Sequence, residues 1–227
     1  MYISSRQKEN RIYSDEQVAQ LPFIEPSHVH YDEWQVRMRS SDRLIRYLEK
    51  KARPLMILEV GCGNGWLSAK LANLEESTVT GIDINKTEIN QARRVFRGKT
   101  NVSFAVADLM NVEFDVNFDI ILFAASIQYF SSFDNITREA LSLLEKDGEI
   151  HFLDSHFYQV KDLERARERS RSYYRSIGFD TMAEFYFHHP FESLKNYRHS
   201  LLFNPLNLKN RLFAKQDPFP WIRITAS

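Results

Sequence analysis

The 227-residue sequence holds a single cysteine, Cys62. That excludes an internal disulfide framework and a Cys-rich metal cluster, so no metal site is expected. An excess of charge of one sign is also missing: 30 Lys and Arg balance 30 Asp and Glu, and nothing in the bulk composition calls for nucleic acid or an anionic membrane. No segment approaches the ~18 consecutive apolar residues of a membrane-spanning helix. Met1 to Asn10 is polar, without the hydrophobic region of a signal peptide. These absences predict a cytoplasmic chain with neither a membrane nor a nucleic-acid partner. Repeats and low-complexity stretches are lacking too. Glycine is scarce at seven residues, yet three of them, Gly61, Gly63 and Gly65, fall within five positions.

Those three end an apolar run, Met56-Ile57-Leu58-Glu59-Val60, and Leu67, Leu71 and Leu74 follow at helical spacing. Strand, glycine turn and helix start together form a place where a nucleotide-like ligand can lie on bare backbone, because glycine permits positive φ and carries no Cβ to block the approach. Spacing decides between ligands. A pyrophosphate-binding loop wants glycine at its first, third and sixth positions, and here the sixth is Trp66, whose indole obstructs close helix and strand packing. NAD and FAD are therefore disfavoured. The pattern that does fit is acid-x-Gly-x-Gly-x-Gly, running from Glu59 to Gly65. It resembles motif I of the class I S-adenosylmethionine-dependent methyltransferases.

Three further strand ends carry the resemblance. Val79 to Ile82 ends in Asp83, about 20 residues beyond the loop, where a carboxylate can accept from both ribose hydroxyls. Val102 to Val106 ends in Ala107-Asp108-Leu109, where the family often places an acid that accepts from the adenine amino group. Phe118 to Phe123 ends in Ala124-Ala125-Ser126, small residues whose backbone the family uses near the methionine amino group. The resemblance thus implies S-adenosylmethionine as cofactor, bound by Glu59, Gly61, Cys62, Gly63, Gly65, Asp83, Ile84, Asp108, Leu109 and Ala125. At Cys62 the backbone amide is expected to matter more than the thiol. The implied fold is α/β, a Rossmann-like seven-stranded, mostly parallel sheet of order 3-2-1-4-5-7-6 with helices on both faces.

Along the chain, residues 1–34 read as an N-terminal arm and 35–227 as a single domain. In the arm, Ser14-Asp15-Glu16 can start a short helix that Leu21-Pro22 stops. Trp34, Val36, Met38, Leu44, Ile45 and Leu48 then recur at helical spacing up to Pro54. Strands and helices alternate to Asp154, with helices near 64–74, 86–97 and 131–145 and a fifth strand over Glu149 to Leu153 after an Asp147-Gly148 turn. Such alternation argues for a parallel sheet with right-handed crossovers. A charged helix over 161–176 follows, and its arginines, Arg165, Arg167, Arg169, Arg171 and Arg175, read as a solvated face. The family architecture implies a sixth strand, placed at Ala183 to His188, and a seventh, antiparallel, at Trp221 to Thr225. Between them, residues 190–219 read as an insertion rich in apolar side chains such as Leu201, Leu208, Leu212 and Phe213, suited to a substrate lid or a homodimer contact.

Methyl transfer asks the protein to align a nucleophile with the methyl–sulfur bond and, for a hydroxyl or amine, to remove a proton. Candidate bases are His156 and Tyr158 after the fifth strand and Tyr129 after the fourth, with His188 and His189 farther along. The acid- or Asn-Pro-Pro signature of DNA and protein-glutamine amino methyltransferases is absent, since Ala124-Ala125-Ser126-Ile127 stands there. The cysteine that RNA C5 chemistry needs near the fourth or fifth strand is absent as well. Two functions remain: a methyltransferase for a small-molecule acceptor, and a non-catalytic cofactor- or partner-binding module on the same fold.

Overall fold

A computed structural model of the protein describes residues 2–207, 210 and 217–226. Its frame is a seven-stranded sheet in the order β3-β2-β1-β4-β5-β9-β8. The strands are β1 (Met56–Val60), β2 (Thr78–Asp83), β3 (Val102–Val106), β4 (Phe118–Ala124), β5 (Leu144–Leu153), β8 (His199–Phe203) and β9 (Trp221–Thr225). β1 to β5 pair in parallel, whereas β9 runs antiparallel to both β5 and β8. The expected strand order therefore holds, with β8 and β9 in the sixth and seventh places.

β1 and β4 are apolar apart from Glu59 and Asp119, as suits strands buried on both faces of the sheet. Alternate side chains feed two cores. Ile57, Ile120 and Leu122 pack with Leu44, Leu48 and Leu71 from helices α3 (Tyr31–Glu49) and α4 (Trp66–Leu71). Leu58, Ile121 and Phe123 face the other way, into a cluster with Phe133, Ile136 and Ala140 of α6 (Phe133–Ser142). Helix α5 (Lys86–Val95) connects β2 to β3, with Asn85 capping its N-terminus.

Helix α3 begins at Tyr31, so the boundary expected after residue 34 falls inside its first turn. Upstream stand α1 (Tyr2–Lys8), which the sequence reading did not foresee, and α2 (Asp15–Gln20), the short helix expected after Ser14, which closes a capping box with Gln17. The α2 segment docks on α5: Gln91 donates to the Tyr13 carbonyl at 2.8 Å and Arg94 pairs with Asp15 at 3.0 Å.

The sixth strand is not at Ala183 to His188. Asp180–Phe185 forms a 3-10 helix that buries Met182, and the strand is His199–Phe203, inside the segment read as an insertion. Within that segment His199–Phe203, Leu201 included, is sheet edge rather than lid, Phe191–Asn196 is a 3-10 helix that buries Leu194, and Phe219 lines the large cavity, whereas Leu208, Leu212 and Phe213 lie outside the described residues. Asp147-Gly148 makes no turn ahead of β5. It is an irregularity within the strand, where the register with β4 shifts and Asp147 takes φ of 68°. After β5, β6 (Phe157–Tyr158) and β7 (His189–Pro190) form a two-stranded parallel ribbon that brackets α7 (Leu163–Ser176). No helix among the described residues is long and apolar enough to cross a membrane.

Candidate active site

The C-terminal tips of β1, β2, β4 and β5 open into one cavity of about 1100 Å³, the crevice where open α/β sheets take ligands. Gly61, Gly63 and Gly65 all have positive φ, between 53° and 77°. At Gly61 an added Cβ would lie 2.6 Å from Ser126 Cβ, and at Gly63 it would meet the Glu88 carboxylate at 3.3 Å. Gly65 does not line the cavity; it starts α4, and a Cβ there would strike the Phe104 ring. Trp66 is buried edge-on against Trp34 at 5.3 Å, so the position where a dinucleotide loop needs glycine is filled by a packed indole.

The loop's amides are spent internally. Gly61 and Cys62 donate to the Ile82 carbonyl at 2.8 and 3.0 Å, Gly63 donates to Asp83 Oδ2 at 2.9 Å, and Gly65 donates to the Cys62 carbonyl at 3.0 Å. This is not the nest of outward N–H groups that cradles a phosphate. It is a flat backbone surface suited to a ligand without phosphates. The Cys62 amide thus braces β1 on β2, and burial raises its thiol pKa well above the ordinary value.

Asp83 ties the two strands together and still faces the cavity: Oδ1 accepts from Asn85 N at 2.8 Å, and burial raises its pKa. Ile84, next to it, is 75 % exposed at the cavity wall, an apolar face on offer to a planar ring. Across from it, Asp108 accepts from Met110 N at 3.1 Å and from the Asn111 side chain at 2.8 Å, while Leu109 is buried and lines the same wall. Glu59 is buried at the end of β1, accepts from the Ser68 hydroxyl, and is pushed up to about 7 by desolvation. At the β4 tip Ala125 takes φ of 53°, and its carbonyl accepts from Gln128 Nε2 at 2.6 Å.

Of the candidate bases, His156 and Tyr129 line the cavity and Tyr158 does not. The Tyr158 ring packs between His156 and His188, at 5.8 and 5.3 Å, and burial raises its phenol. His156 lies 4.6 Å from the Phe219 ring; desolvation and the nearby Arg169 lower its pKa, so the imidazole is neutral near pH 7 and able to accept a proton. Tyr129, in the 3-10 turn Ile127–Tyr129, meets Tyr2 and Tyr186 edge-on at 6.1 and 5.9 Å. His188 and His189 are held in the frame, bonded to the Ser170 hydroxyl at 2.9 Å and the Ile127 carbonyl at 3.0 Å.

Sequence reading missed a group of cavity residues. Tyr2 and Arg6 of α1, Arg37 of α3, Glu88 of α5 and Asp154 after β5 all line the cavity. Arg169 lines it too, at the inner edge of the helix face read as purely solvated. Glu88 carried a signal, an acid one helical turn past a capping Asn; the α1 and α3 residues carried none, because they arrive from far along the chain.

Residues 57–148 match the family model for a methyltransferase domain. Over these residues the chain is similar to methyltransferase domains. Among curated relatives, a malonyl-[acyl-carrier protein] O-methyltransferase of Acetivibrio thermocellus is 27% identical over 160 residues, 69% of this chain and 56% of that protein. A ubiquinone biosynthesis O-methyltransferase of Pelagibacter ubique is 31% identical over 108 residues, 47% of this chain and 45% of its own length. The chain thus spans about half the length of the curated relatives it matches. Among solved structures, the magnesium protoporphyrin IX methyltransferase of Synechocystis PCC 6803 superposes with TM-score 0.63 at 14% identity, covering 99% of this chain and 94% of that one. The plantazolicin methyltransferase superposes with TM-score 0.61 at 18% identity over 100% of both chains. Both were solved with S-adenosylhomocysteine bound, and at these identities they establish the shared methyltransferase fold.

Proposed function

We propose that the protein is an S-adenosylmethionine-dependent methyltransferase whose acceptor is a small molecule. The observation that carries the reading is the glycine surface at the β1 tip, closed to side chains at Gly61 and Gly63 and flanked by Asp83. Asp83 would accept from the ribose hydroxyls, Ile84 and Leu109 would enclose the adenine, Asp108 would face its amino group, and the Ala125 backbone would border the methionyl end. Glu59 and Cys62 act from behind, fixing α4 and β2 against the loop. When bound, the sulfonium supplies a methyl group already activated for transfer. What the chain adds is alignment, exclusion of water and a place for the acceptor proton.

His156, neutral and at the cavity wall, is the group proposed to take that proton; Tyr129 would position the acceptor. Tyr158 would steady His156 through ring contact rather than touch the acceptor. Relatives named for O-methylation favour an oxygen acceptor. The even charge balance favours an enzyme acting on neither nucleic acid nor membrane. Calorimetry with S-adenosylmethionine and S-adenosylhomocysteine, followed by a methyl-donor turnover screen over hydroxy, carboxy and amino acceptors, tests the reading. Absence of cofactor binding would defeat it, and binding with no turnover on any acceptor would favour the non-catalytic module.

A further inference from the structure

The arginines of α7 are not equally matched. Arg167 and Arg171 reach Glu164 at 3.4 and 3.2 Å, and Arg175 pairs with Asp180 at 3.2 Å. Arg169 lines the cavity instead and forms no ion pair among the described residues. The groups on which it acts there are neutral, the His156 imidazole and the Tyr158 phenol, and no carboxylate acts on either of them among the described residues. Two acids elsewhere on the wall are already engaged: Glu9 by Arg6 at 3.7 Å and by the Tyr173 hydroxyl, and Glu33 by Arg11 and Arg37 at 2.6 and 2.9 Å. The end of the cavity around His156 therefore carries positive potential without a counter-charge, and apolar walls concentrate such a field.

Those walls are rings. Tyr129 stands edge-on to Tyr2 and Tyr186 at interplanar angles of 86° and 84°, and Tyr186 packs on Tyr174 at 6.1 Å. Beside this cluster Tyr173 and Phe185 line the cavity while still 44% and 55% exposed. Rings left open next to an edge-to-face cluster offer faces and edges that a further flat ring would cover. Room for it exists: the cavity of about 1100 Å³ exceeds the roughly 300 to 1,000 Å³ of a site for one drug-sized ligand.

We propose that the acceptor is a hydroxylated aromatic acid, its ring system against the tyrosine wall, its carboxylate on Arg169 and its hydroxyl at His156. The assignment rests on the methyltransferase reading above and gives that reading a substrate class. The hydroxyl oxygen gains the methyl carbon, the carbon–sulfur bond leaves its electron pair on sulfur, and the hydroxyl proton passes to His156. Arg169 is then the residue that selects for the acid.

The test uses three probes: a hydroxynaphthoate, the matching neutral carboxamide, and the saturated decalin hydroxy acid. Each is titrated by calorimetry into protein saturated with S-adenosylhomocysteine, for the wild type, Arg169→Gln and Arg169→Lys, and methyl transfer is then followed with the donor. The wild type is expected to bind the aromatic acid about 10- to 100-fold more tightly than its amide, the range for a charge-assisted hydrogen bond. Arg169→Gln should bring the acid down to the level of the amide, leave the amide within about twofold, and keep S-adenosylhomocysteine affinity unchanged, whereas Arg169→Lys should keep part of the preference. Equal binding of acid and amide by the wild type overturns the proposal, as does an equal loss of both in Arg169→Gln. So does binding of the saturated acid as tight as that of the aromatic one, a methyl ester in place of an aryl ether as product, or no binding of any probe to protein that holds S-adenosylhomocysteine; in each case the methyltransferase reading stands. Failure of the wild type to bind S-adenosylhomocysteine is a separate result, which removes that reading and the acceptor assignment with it.

Discussion

The two halves of the cavity are made differently. One half is strand tips: Gly61, Asp83, Asp108 and Ala125 end consecutive parallel strands, and their backbone is tied across the sheet by bonds such as Gly63 N to Asp83 at 2.9 Å. The other half is assembled from the chain's first helix, the 3-10 turn after β4, α7 and the segment around Tyr186, and it is mostly aromatic. Tyr129, Tyr186 and Tyr174 touch ring to ring, with Tyr2 edge-on to Tyr129, and burial raises the phenols of Tyr2, Tyr174 and Tyr186 so that they stay neutral. In the proposed function the cofactor would be met by strand-end backbone, and the acceptor by side chains carried on helices and turns outside the sheet. Under the proposed function the division predicts where a substitution acts: on the strand tips it should change affinity for the methyl donor, and on the aromatic half it should change turnover.

Gly61→Val is expected to break the first half outright. Its Cβ falls 2.6 Å from Ser126 Cβ at φ of +73°, so overpacking of about 1 to 3 kcal/mol adds to the cost of a left-handed β-branched residue. Calorimetry should find no S-adenosylhomocysteine binding in a protein with lowered Tm, and normal binding would reduce the loop to a structural turn. The complementary blow falls on the proposed proton acceptor after β5, His156→Ala. Turnover should fall about 100-fold, with cofactor affinity unchanged, if the imidazole takes the acceptor proton. Wild-type turnover in that variant would leave alignment alone, or Tyr129, to do the work. Asp83→Ala comes next, with cofactor binding weakened by about 1 to 3 kcal/mol and the fold retained. A folded Asp83→Ala variant of unchanged affinity would remove this carboxylate from the ribose and leave it the strand tie to Gly63.

The same division explains what the sequence could reveal. β4 was legible because a strand covered on both faces is predominantly apolar, as Phe118 to Phe123 is apart from Asp119. Glycine spacing and the acids after β2 and β3 are local patterns set by the main chain, so the sequence could point to Gly61, Gly63, Asp83 and Asp108 at the cavity, though not to Gly65's place outside it. β8 was not legible. It is an edge strand, His-Ser-Leu-Leu-Phe, exposed at alternate positions, and it loses on apolar content to Ala183–His188, which instead coils into a 3-10 turn under Met182. Asp154 was visible as a residue after β5, yet its environment comes from Ser40, 114 residues earlier, and no local pattern announces that contact. Arg6 and Tyr2 were hidden for the same reason: α1 reaches the cavity through tertiary packing, not through any periodicity of its own.

Glu88 sits where the halves meet, and the smallest expected effect sharpens the comparison there. Its carboxylate faces the Gly63 backbone, and Arg6 of α1 and Asp83 act on it electrostatically. Desolvation outweighs the attraction of Arg6 and pushes its pKa up to about 7, from an unfolded value near 4.5. Between these two values the folded state therefore holds a proton that the unfolded state has released, so this group's contribution makes stability fall as pH rises. Above about pH 7 both states are ionised and the whole penalty is present. Glu88→Gln abolishes the titration, and it should raise stability at pH 8 by on the order of 1 kcal/mol, a few degrees in Tm, while changing little at pH 4.5. The full shift is not expected to appear, because the side chain keeps some contact with solvent in the cavity and Arg6 loses a counter-charge. Thermal unfolding of both proteins from pH 4.5 to 8 checks the sign: a stability gap that widens with pH supports an ionised Glu88 held at a cost beside the glycine surface. A gap that narrows would mean that Arg6 dominates, with α1 latched to the donor half through Glu88 rather than belonging to the acceptor half alone.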